Sequence, residues 1–362
     1  MSTVMDILSG RRREWWAVAT RAVLAPAGIA FGLAMRARRR AYAGHGLCRA
    51  RAADVPMISV GNLTAGGTGK TPMVAWIVTR LVEQGRRPAV VMRGYRAHNG
   101  QSDEAMLLEM LCNARRATGD VGETSASRWP VPVIVDPDRM AGARAARERG
   151  ADCVVLDDAF QYLRIRRDVD LVLIDATNPL GFGRCLPRGL LREPPSALRA
   201  ADAMVITRTD LASPAELEAI DATLRRHAGE SVPIFRAVHR PTAAIDGSGT
   251  RHGVEALAGG AFFAFCGLGN AGAFFRTLES LHIPVRGRRE LGDHAHYDQA
   301  RLTELAHAAR EAGADAFITT QKDFVKLQNM TLPLPCWQLA VDMELLDGGG
   351  AKLFELVMKK IG

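Results

Sequence analysis

A glycine-rich turn near residue 66 contains the residue types that bind nucleotide phosphates. The sequence there, TAGGTGKT over residues 64–71, ends in Gly-Lys-Thr. In such a turn the backbone N–H groups of the glycines close around phosphate oxygens. Lys70 would then reach the β and γ phosphates, and the hydroxyl of Thr71 would bind Mg2+. The predicted nucleotide-binding stretch consists of Thr64, Ala65, Gly66, Gly67, Thr68, Gly69, Lys70 and Thr71.

The elements on either side of this turn favour a phosphate-binding loop. A short β-rich run from Val55 precedes it, and apolar residues spaced on one helical face follow it from Met73 to Val82. A strand, a glycine turn and a helix in that order are the context that such a loop needs. The match is incomplete, because Thr64 occupies the position of the first motif glycine. The turn also resembles the loop of partition-type ATPases, but Ala65 stands in place of their signature lysine, which disfavours a dimerising partition switch. A glycine turn without a ligand is the remaining alternative.

Acidic residues follow two predicted buried strands. Cys153–Leu156 is followed by Asp157 and Asp158, and Asp170–Ile174 is followed by Asp175. Carboxylates at strand ends commonly hold Mg2+ or its water shell. A single aspartate at such a place is about as often a turn or cap residue. The pair Asp157 and Asp158, beside the phosphate-binding loop, is therefore the predicted metal site.

The composition is that of a globular protein, and the charge is unevenly distributed. The 362 residues are 48% hydrophobic and 24% charged, which excludes a disordered, collagen-like or multi-span membrane chain. The net charge of +8 resides in residues 1–51, which contain ten arginines and only two acidic residues, Asp6 and Glu14. The rest of the chain is therefore neutral overall. Nucleic-acid binding needs basic residues spread over the folded surface, so no nucleic-acid partner is expected. Six cysteines without a CxxC pair indicate a reducing compartment and no zinc site.

The basic N-terminal segment also holds an apolar stretch, Trp15–Met35, close to the length of a membrane-spanning helix. Arg21 lies inside it, Pro26 would kink it, and arginines flank both ends, which disfavours an oriented single span. The arginines that follow it disfavour a cleaved secretory signal. We predict a helix lying in the headgroup layer of an anionic leaflet; a helix buried against the body is the alternative. The residues predicted to enter the membrane are Trp15, Trp16, Leu24, Ile29, Phe31, Leu33 and Met35.

Nine short motifs follow one another along the chain. They are GNLTAGGTGKTP (61–72), RGY (93–95), SDEAMLL (102–108), PDR (137–139), LDDAFQY (156–162), LPRGLLREP (186–194), CGLGN (266–270), GDHAHY (292–297) and TTQKDFVKL (319–327). In sequence and order they resemble the motifs of the tetraacyldisaccharide 4'-kinase family, the lipid A 4'-kinases. The resemblance covers nearly the whole chain and is far more specific than the phosphate-binding loop alone.

This resemblance implies a reaction and a place. The reaction is transfer of the ATP γ-phosphate, with Mg2+, to the 4'-hydroxyl of lipid A disaccharide 1-phosphate, the tetraacylated acceptor, giving lipid IVA in lipid A biosynthesis. The place is the cytoplasmic face of the inner membrane, with the anionic leaflet as a partner and the enzyme held peripherally or by a single N-terminal anchor.

The resemblance also assigns roles to residues outside the loop. Asp103 matches the family's proposed general base, and His294 matches the histidine that partners it. Arg192 would stabilise phosphate charge, and Glu193 would assist Mg2+. Without the family register, the more common structural roles are a surface salt bridge for Arg192 and a capped loop histidine for His294.

The chain departs from the family pattern at several points. Ala159 and Tyr162 replace a glycine and a histidine of the motif around the paired aspartates. The motif that contains Asp103 reads SDEA over residues 102–105, without the usual proline, and Thr118–Trp129 resembles an added polar loop. These changes concern the loop geometry around Asp103 more than the reaction.

The predicted fold class is α/β. A membrane-associated N-terminal segment occupies residues 1–54, a P-loop NTPase-like α/β/α domain residues 55–235, and a smaller second α/β domain residues 236–362. In the second domain, strands are predicted at 262–265, 284–286 and 316–319, with helices at 269–282 and 297–312. Two other functions stay open: a membrane-associated P-loop ATPase switch that phosphorylates no lipid, and a nucleic-acid-associated ATPase, which the neutral body disfavours.

Overall fold

The computed structural model describes residues 2–43, 47–94, 102–117, 129–268, 271–292 and 295–362. The predicted features that lie outside these ranges are Tyr95, residues 118–128 of the added polar loop, Gly269, Asn270, Asp293 and His294. The chain divides into two compact units. The first consists of Met1–Arg96, Leu108–Val238 and Met343–Gly362, and the second of Ala97–Leu107 and His239–Asp342. Residues 343–362 thus group with the first unit, whereas the predicted division assigns them to the C-terminal domain.

The described strands and helices have the following bounds. The strands are β1 Met57–Asn62, β2 Pro88–Met92, β3 Val133–Val135, β4 Cys153–Asp157, β5 Val169–Asp175, β6 Ala203–Thr207, β7 Ile234–Ile245, β8 Arg251–His252, β9 Phe262–Cys266, β10 Val285–Glu290, β11 Ala316–Thr320 and β12 Cys336–Leu345. The helices are α1 Ser2–Ser9, α2 Trp15–Tyr42, α3 Lys70–Glu83, α4 Asp103–Ala117, α5 Arg139–Glu148, α6 Pro214–Ala228, α7 Ala271–Ser280, α8 Gln299–Glu311, α9 Gln321–Phe324 and α10 Gly349–Ile361. Short 3-10 turns occur at Gly181–Gly183, Pro195–Ala200, Thr209–Leu211 and Val254–Leu257.

The first unit is built on a parallel sheet with the strand order β3-β2-β4-β1-β5-β6-β7. Its central strands are buried along their length, as expected for a parallel sheet covered on both faces. β1 and β4 are neighbours, and Val60 pairs with Asp157 in their register. The loops that follow these two strands therefore leave the same edge of the sheet, which brings the phosphate-binding loop close to the paired aspartates.

The second unit is a smaller α/β layer structure. Its parallel strands have the order β10-β9-β11-β12, and β8 pairs antiparallel with the end of β7. Phe262 and Ala264 pack with α7 on one face of the sheet, and Phe263 and Phe265 pack with α8 on the other. Side chains alternate between the faces because successive residues of a strand point in opposite directions. The predicted α/β alternation of this region is confirmed.

The N-terminal helix α2 runs without interruption through Pro26 and packs along one side on the rest of the first unit. Gly28 and Gly32 are buried there, and a Cβ atom at Gly28 would lie 2.9 Å from Cβ of Arg188. Within the described ranges, α2 is the one helix long and apolar enough to cross a membrane. Only 11% of its most apolar stretch of 18 residues is buried. The helix therefore contacts the body without being part of its core.

Candidate active site

The phosphate-binding loop lies between β1 and α3. Gly66 (φ 126°) and Gly69 (φ 87°) have positive backbone φ angles, which glycine adopts without the steric cost that other residues incur. Gly69 is the N-cap of α3, so the positive end of the helix dipole adjoins the loop. The backbone N–H of Ala65 donates to the carbonyl oxygen of Leu190 over 2.7 Å, which ties the loop to the segment 183–194. The loop therefore has the curvature and the polarity that phosphate binding requires.

The three threonines of the predicted stretch have different surroundings. Thr64 is buried and forms an antiparallel bridge with Leu191. Thr68 is buried, and its carbonyl oxygen accepts a hydrogen bond from the hydroxyl of Thr207 over 3.0 Å. Thr71 is half-buried in the first turn of α3. Its hydroxyl is thus the one on the helix end that adjoins the loop, as the predicted Mg2+ role requires.

Arg208 supports the loop from the end of β6 and was not predicted. It donates to the carbonyl oxygen of Gly67 over 3.0 Å and forms an ion pair with Asp175. Asp175 also accepts the hydroxyl of Thr177 over 2.7 Å. The second acidic strand end is therefore part of the support of the loop. The sequence signal that could have identified Arg208 is its position directly after a strand that neighbours the strand ending at Asp175.

Lys70, Asp158 and Arg192 form the charged centre of the site. Arg192 donates to both carboxylate oxygens of Asp158 over 2.9 Å each, and Nζ of Lys70 lies 3.8 Å from Oδ1 of the same carboxylate. Asp158 has a φ angle of 52°, in the left-handed region that aspartate tolerates better than most residues. Burial acts to raise the pKa of Asp158, but Lys70 and Arg192 outweigh it, so the pKa lies below its usual value. The carboxylate is thus ionised at neutral pH.

Asp157 ends β4 and is buried, and its backbone carbonyl accepts a hydrogen bond from Arg139 over 3.4 Å. Arg139 belongs to the PDR motif, and burial lowers its pKa, although Asp157 and Asp158 oppose that shift. The replacement residue Tyr162 lies near this arginine, with its hydroxyl 3.4 Å from Oδ1 of Asp138. Ala159 is fully buried. The PDR motif therefore supports the strand end that carries the predicted metal ligand.

The oxygen donors Asp157, Asp158 and Thr71 suit Mg2+, which is commonly bound through one or two carboxylates and the substrate phosphates. In the part of the chain that the structure describes, no group of three or more His, Cys, Asp or Glu side chains is arranged to hold a metal ion. Glu193 is wholly buried, and its Oε2 lies 2.5 Å from Nη2 of Arg39. The predicted metal role of Glu193 stays a prediction, since the contact that the structure does contain is with an arginine of α2.

The second unit carries Asp103, the predicted base, as the first residue of α4. Its side chain is 45% exposed, and its Oδ2 lies 3.9 Å from Nζ of Lys326. Lys326 is almost buried, lies 3.9 Å from Oδ1 of Asp323, and donates to the carbonyl oxygen of Ala295 over 3.2 Å. Sequence reasoning missed Lys326, although it stands in the TTQKDFVKL motif. The structure thus places a buried ammonium group beside the predicted base, while His294, its predicted partner, lies outside the described residues.

Comparisons with known proteins agree on one family. The family model described as tetraacyldisaccharide-1-P 4'-kinase matches residues 20–361. A tetraacyldisaccharide 4'-kinase of Syntrophotalea carbinolica is 40% identical over 91% of this chain and 89% of its own length. That of Geobacter metallireducens is 38% identical over 90% of this chain and 94% of its own length.

A solved structure shows the same fold. The crystal structure of LpxK from Aquifex aeolicus in complex with ATP matches with a TM-score of 0.71 and 23% identity, covering 95% of this chain and all of that one. The predicted fold class, a P-loop NTPase-like α/β fold with a second α/β unit and an N-terminal helix, is confirmed. On the family match and the two relatives, this chain belongs to the tetraacyldisaccharide-1-phosphate 4'-kinase family.

Proposed function

We propose that the chain transfers the γ-phosphate of ATP to the 4'-hydroxyl of tetraacyldisaccharide 1-phosphate, giving lipid IVA in lipid A biosynthesis. The family match over residues 20–361 carries the proposal. The curved phosphate-binding loop and the charged group Lys70, Asp158 and Arg192 supply the chemistry that phosphoryl transfer from ATP needs.

Phosphoryl transfer depends on positioning and on neutralising charge, and each proposed role follows from that need. Lys70 and Arg192 place positive charge beside the phosphates. Asp103 takes the proton of the 4'-hydroxyl while the sugar oxygen bonds to the γ-phosphorus and the bond from that phosphorus to ADP breaks. His294 assists Asp103 as its acid–base partner.

Mg2+ is the proposed metal, and Thr71, Asp157 and Asp158 are the residues that would hold it. When bound, it neutralises charge on the transferring phosphate and on the ADP leaving group.

The acceptor carries four acyl chains, and features of α2 support its delivery from a membrane. A groove of about 630 Å3 lies between α2 and residues 183–194. It is lined mostly by small and apolar residues together with four arginines, Arg21, Arg36, Arg184 and Arg188. Trp15, Ile29 and Leu33 are exposed. Apolar immersion together with arginine attraction to anionic headgroups supports a place at the cytoplasmic face of the inner membrane.

The test is incubation of the purified protein with labelled ATP and the tetraacylated acceptor in detergent. The expected product has one additional phosphate on the disaccharide, and Lys70→Ala abolishes it without lowering the melting temperature. ATP hydrolysis at the same rate with and without the acceptor would instead indicate the alternative, a membrane-associated ATPase switch. Salt-sensitive DNA binding that survives deletion of residues 1–51 would favour a nucleic-acid-associated ATPase.

A further inference from the structure

We infer that Arg39 of α2 is a positioning residue of the nucleotide site, so that the N-terminal helix supports ATP binding as well as contact with the membrane. The inference rests on the proposed function only in that the loop at 64–71 binds ATP. All of its contacts lie within the first unit.

Arg39 contacts two different segments that adjoin residues of the charged centre in sequence. Its Nη2 atom lies 2.5 Å from Oε2 of Glu193 and donates to the carbonyl oxygen of Phe160 over 3.1 Å. Its guanidinium group also lies over the ring of Phe160, 4.4 Å from the ring centroid. The neighbouring Arg38 donates to the carbonyl oxygen of Gln161 over 3.0 Å. The end of α2 is therefore bonded to the backbone of the segment that follows the paired aspartates.

The two segments that Arg39 joins are those that carry Asp158 and Arg192. Phe160 is two residues beyond Asp158, and Glu193 directly follows Arg192. Arg192 and Asp158 are already joined directly through two hydrogen bonds. Arg39 joins the same two segments through Phe160 and Glu193, and thereby limits how far Asp158 and Arg192 can move apart.

The ion pair between Arg39 and Glu193 is buried, so its formation has a large cost in desolvation free energy. The Glu193 side chain has no exposed surface, and that of Arg39 is 17% exposed. Removing both charges from water carries a desolvation cost that the pairing alone often fails to recover. Support of a ligand-binding site accounts for such a pair, and loss of the outer partners that orient metal ligands typically lowers metal affinity or activity by about 10- to 100-fold.

The experiment titrates the full-length protein in detergent with Mg2+ and a non-hydrolysable ATP analogue, without any lipid acceptor. Arg39→Lys keeps the buried charge but loses the planar group that reaches both acceptors. We expect it to weaken binding of the Mg2+–nucleotide complex by about tenfold or more. Arg40→Met, which removes an exposed arginine of the same helix turn, is the matched control and should bind the nucleotide like the unaltered protein.

A second variant separates positioning from stability. Arg39→Met combined with Glu193→Gln removes both charges, which avoids an unpaired buried carboxylate and keeps the fold testable by its melting temperature. If this variant folds and still binds the Mg2+–nucleotide complex like the unaltered protein, the pair is only structural and the inference is wrong. The same conclusion follows if Arg39→Lys and Arg40→Met have equal affinities.

Because the readout is nucleotide affinity, its outcome is independent of the acceptor. A protein that binds nucleotide in an Arg39-dependent way but phosphorylates no disaccharide would contradict the proposed function alone. A protein that phosphorylates the disaccharide and binds nucleotide equally well without Arg39 would contradict this inference alone.

Discussion

Arg192 binds Asp158 through both terminal nitrogens of its guanidinium group, Nη1 and Nη2, each of which donates to one carboxylate oxygen over 2.9 Å. Lys70 approaches the same carboxylate to 3.8 Å. One carboxylate thus orients the two positive side chains that are proposed to bind the phosphates. Preorganised charge of this kind avoids reorganisation at the moment of reaction, and is commonly the largest contribution to catalysis.

Replacing this arginine tests the preorganisation. Arg192→Lys keeps the charge but cannot form two parallel hydrogen bonds to Asp158. We expect kcat to fall by about 100-fold, with the melting temperature nearly unchanged. Steady-state kinetics with ATP and the lipid acceptor measure the effect, and Arg199→Lys on the exposed surface is the control. Unchanged kcat in Arg192→Lys would show that the second hydrogen bond has no role.

Asp103→Asn tests the proposed base. Because the amide cannot accept the hydroxyl proton, kcat should fall by about 10^2- to 10^4-fold, while affinity for an ATP analogue is retained. The neighbouring Glu104→Gln, also in the first turn of α4, should retain most activity. If Asp103→Asn keeps full activity in a saturating assay, another group takes the proton.

The exposed apolar face of α2 should set membrane affinity. Trp15, Ile29 and Leu33 are 81%, 64% and 57% exposed, and immersing each such side chain contributes about 1.5–3 kcal/mol. Changing all three to serine should weaken binding to anionic vesicles by at least about tenfold, without altering nucleotide affinity. Val135→Ser, at an exposed apolar residue of β3, should leave vesicle binding unchanged. Equal binding by the triple variant would mean that this face does not enter the membrane.

Gly61→Ala should destabilise the first unit. A Cβ atom at Gly61 would lie 2.6 Å from Cβ of Phe160, which is fully buried, so the two segments would have to separate. Overpacking of this kind typically costs about 1–3 kcal/mol, measurable by urea unfolding. Gly259→Ala, where a Cβ atom meets nothing within 4 Å, should change stability by less than about 0.5 kcal/mol. Similar unfolding midpoints for both variants would contradict this account.

Thiol reactivity should report burial. Burial raises the pKa of Cys112, Cys266 and Cys336 to about 12. A thiol with this raised pKa stays protonated until the pH approaches 12. At pH 8, therefore, only about one such thiol in 10^4 is the reactive thiolate. Iodoacetamide at pH 8 should therefore modify the half-buried Cys48 in the native protein, and these three only after unfolding. Peptide mass spectrometry measures this, and native modification of Cys266 at the rate of Cys48 would contradict it.

Much of the fold is predictable from local patterns. The strand, glycine turn and helix over residues 57–83 follow from hydrophobic periodicity and glycine positions, and all six apolar residues of the predicted helical face are buried in α3. The alternation of strands and helices in the second unit is equally local. The pairing of Lys70 with Asp158 follows from one further step, because strands β1 and β4 are neighbours and both loops leave the same edge.

The supports of the site are not predictable in this way. Asp157 and Asp175 end buried strands in the same pattern, yet Asp175 pairs with Arg208, which donates to the loop at Gly67. Lys326 lies beside Asp103 only because the fold brings the start of α4 to the segment after β11. Neither contact leaves a periodicity in the sequence.

The sequence by itself determined the phosphate-binding loop, the acidic strand ends, the α/β fold and, through nine ordered motifs, the family, because each depends on residues close together in the chain. Only the tertiary structure decided which charges meet. Arg39 and Glu193 are 154 residues apart, and nothing in either segment marks the other as its partner. A buried charge is stable only where packing brings an opposite charge to it, so the link between the N-terminal helix and the nucleotide site becomes visible only in the folded chain.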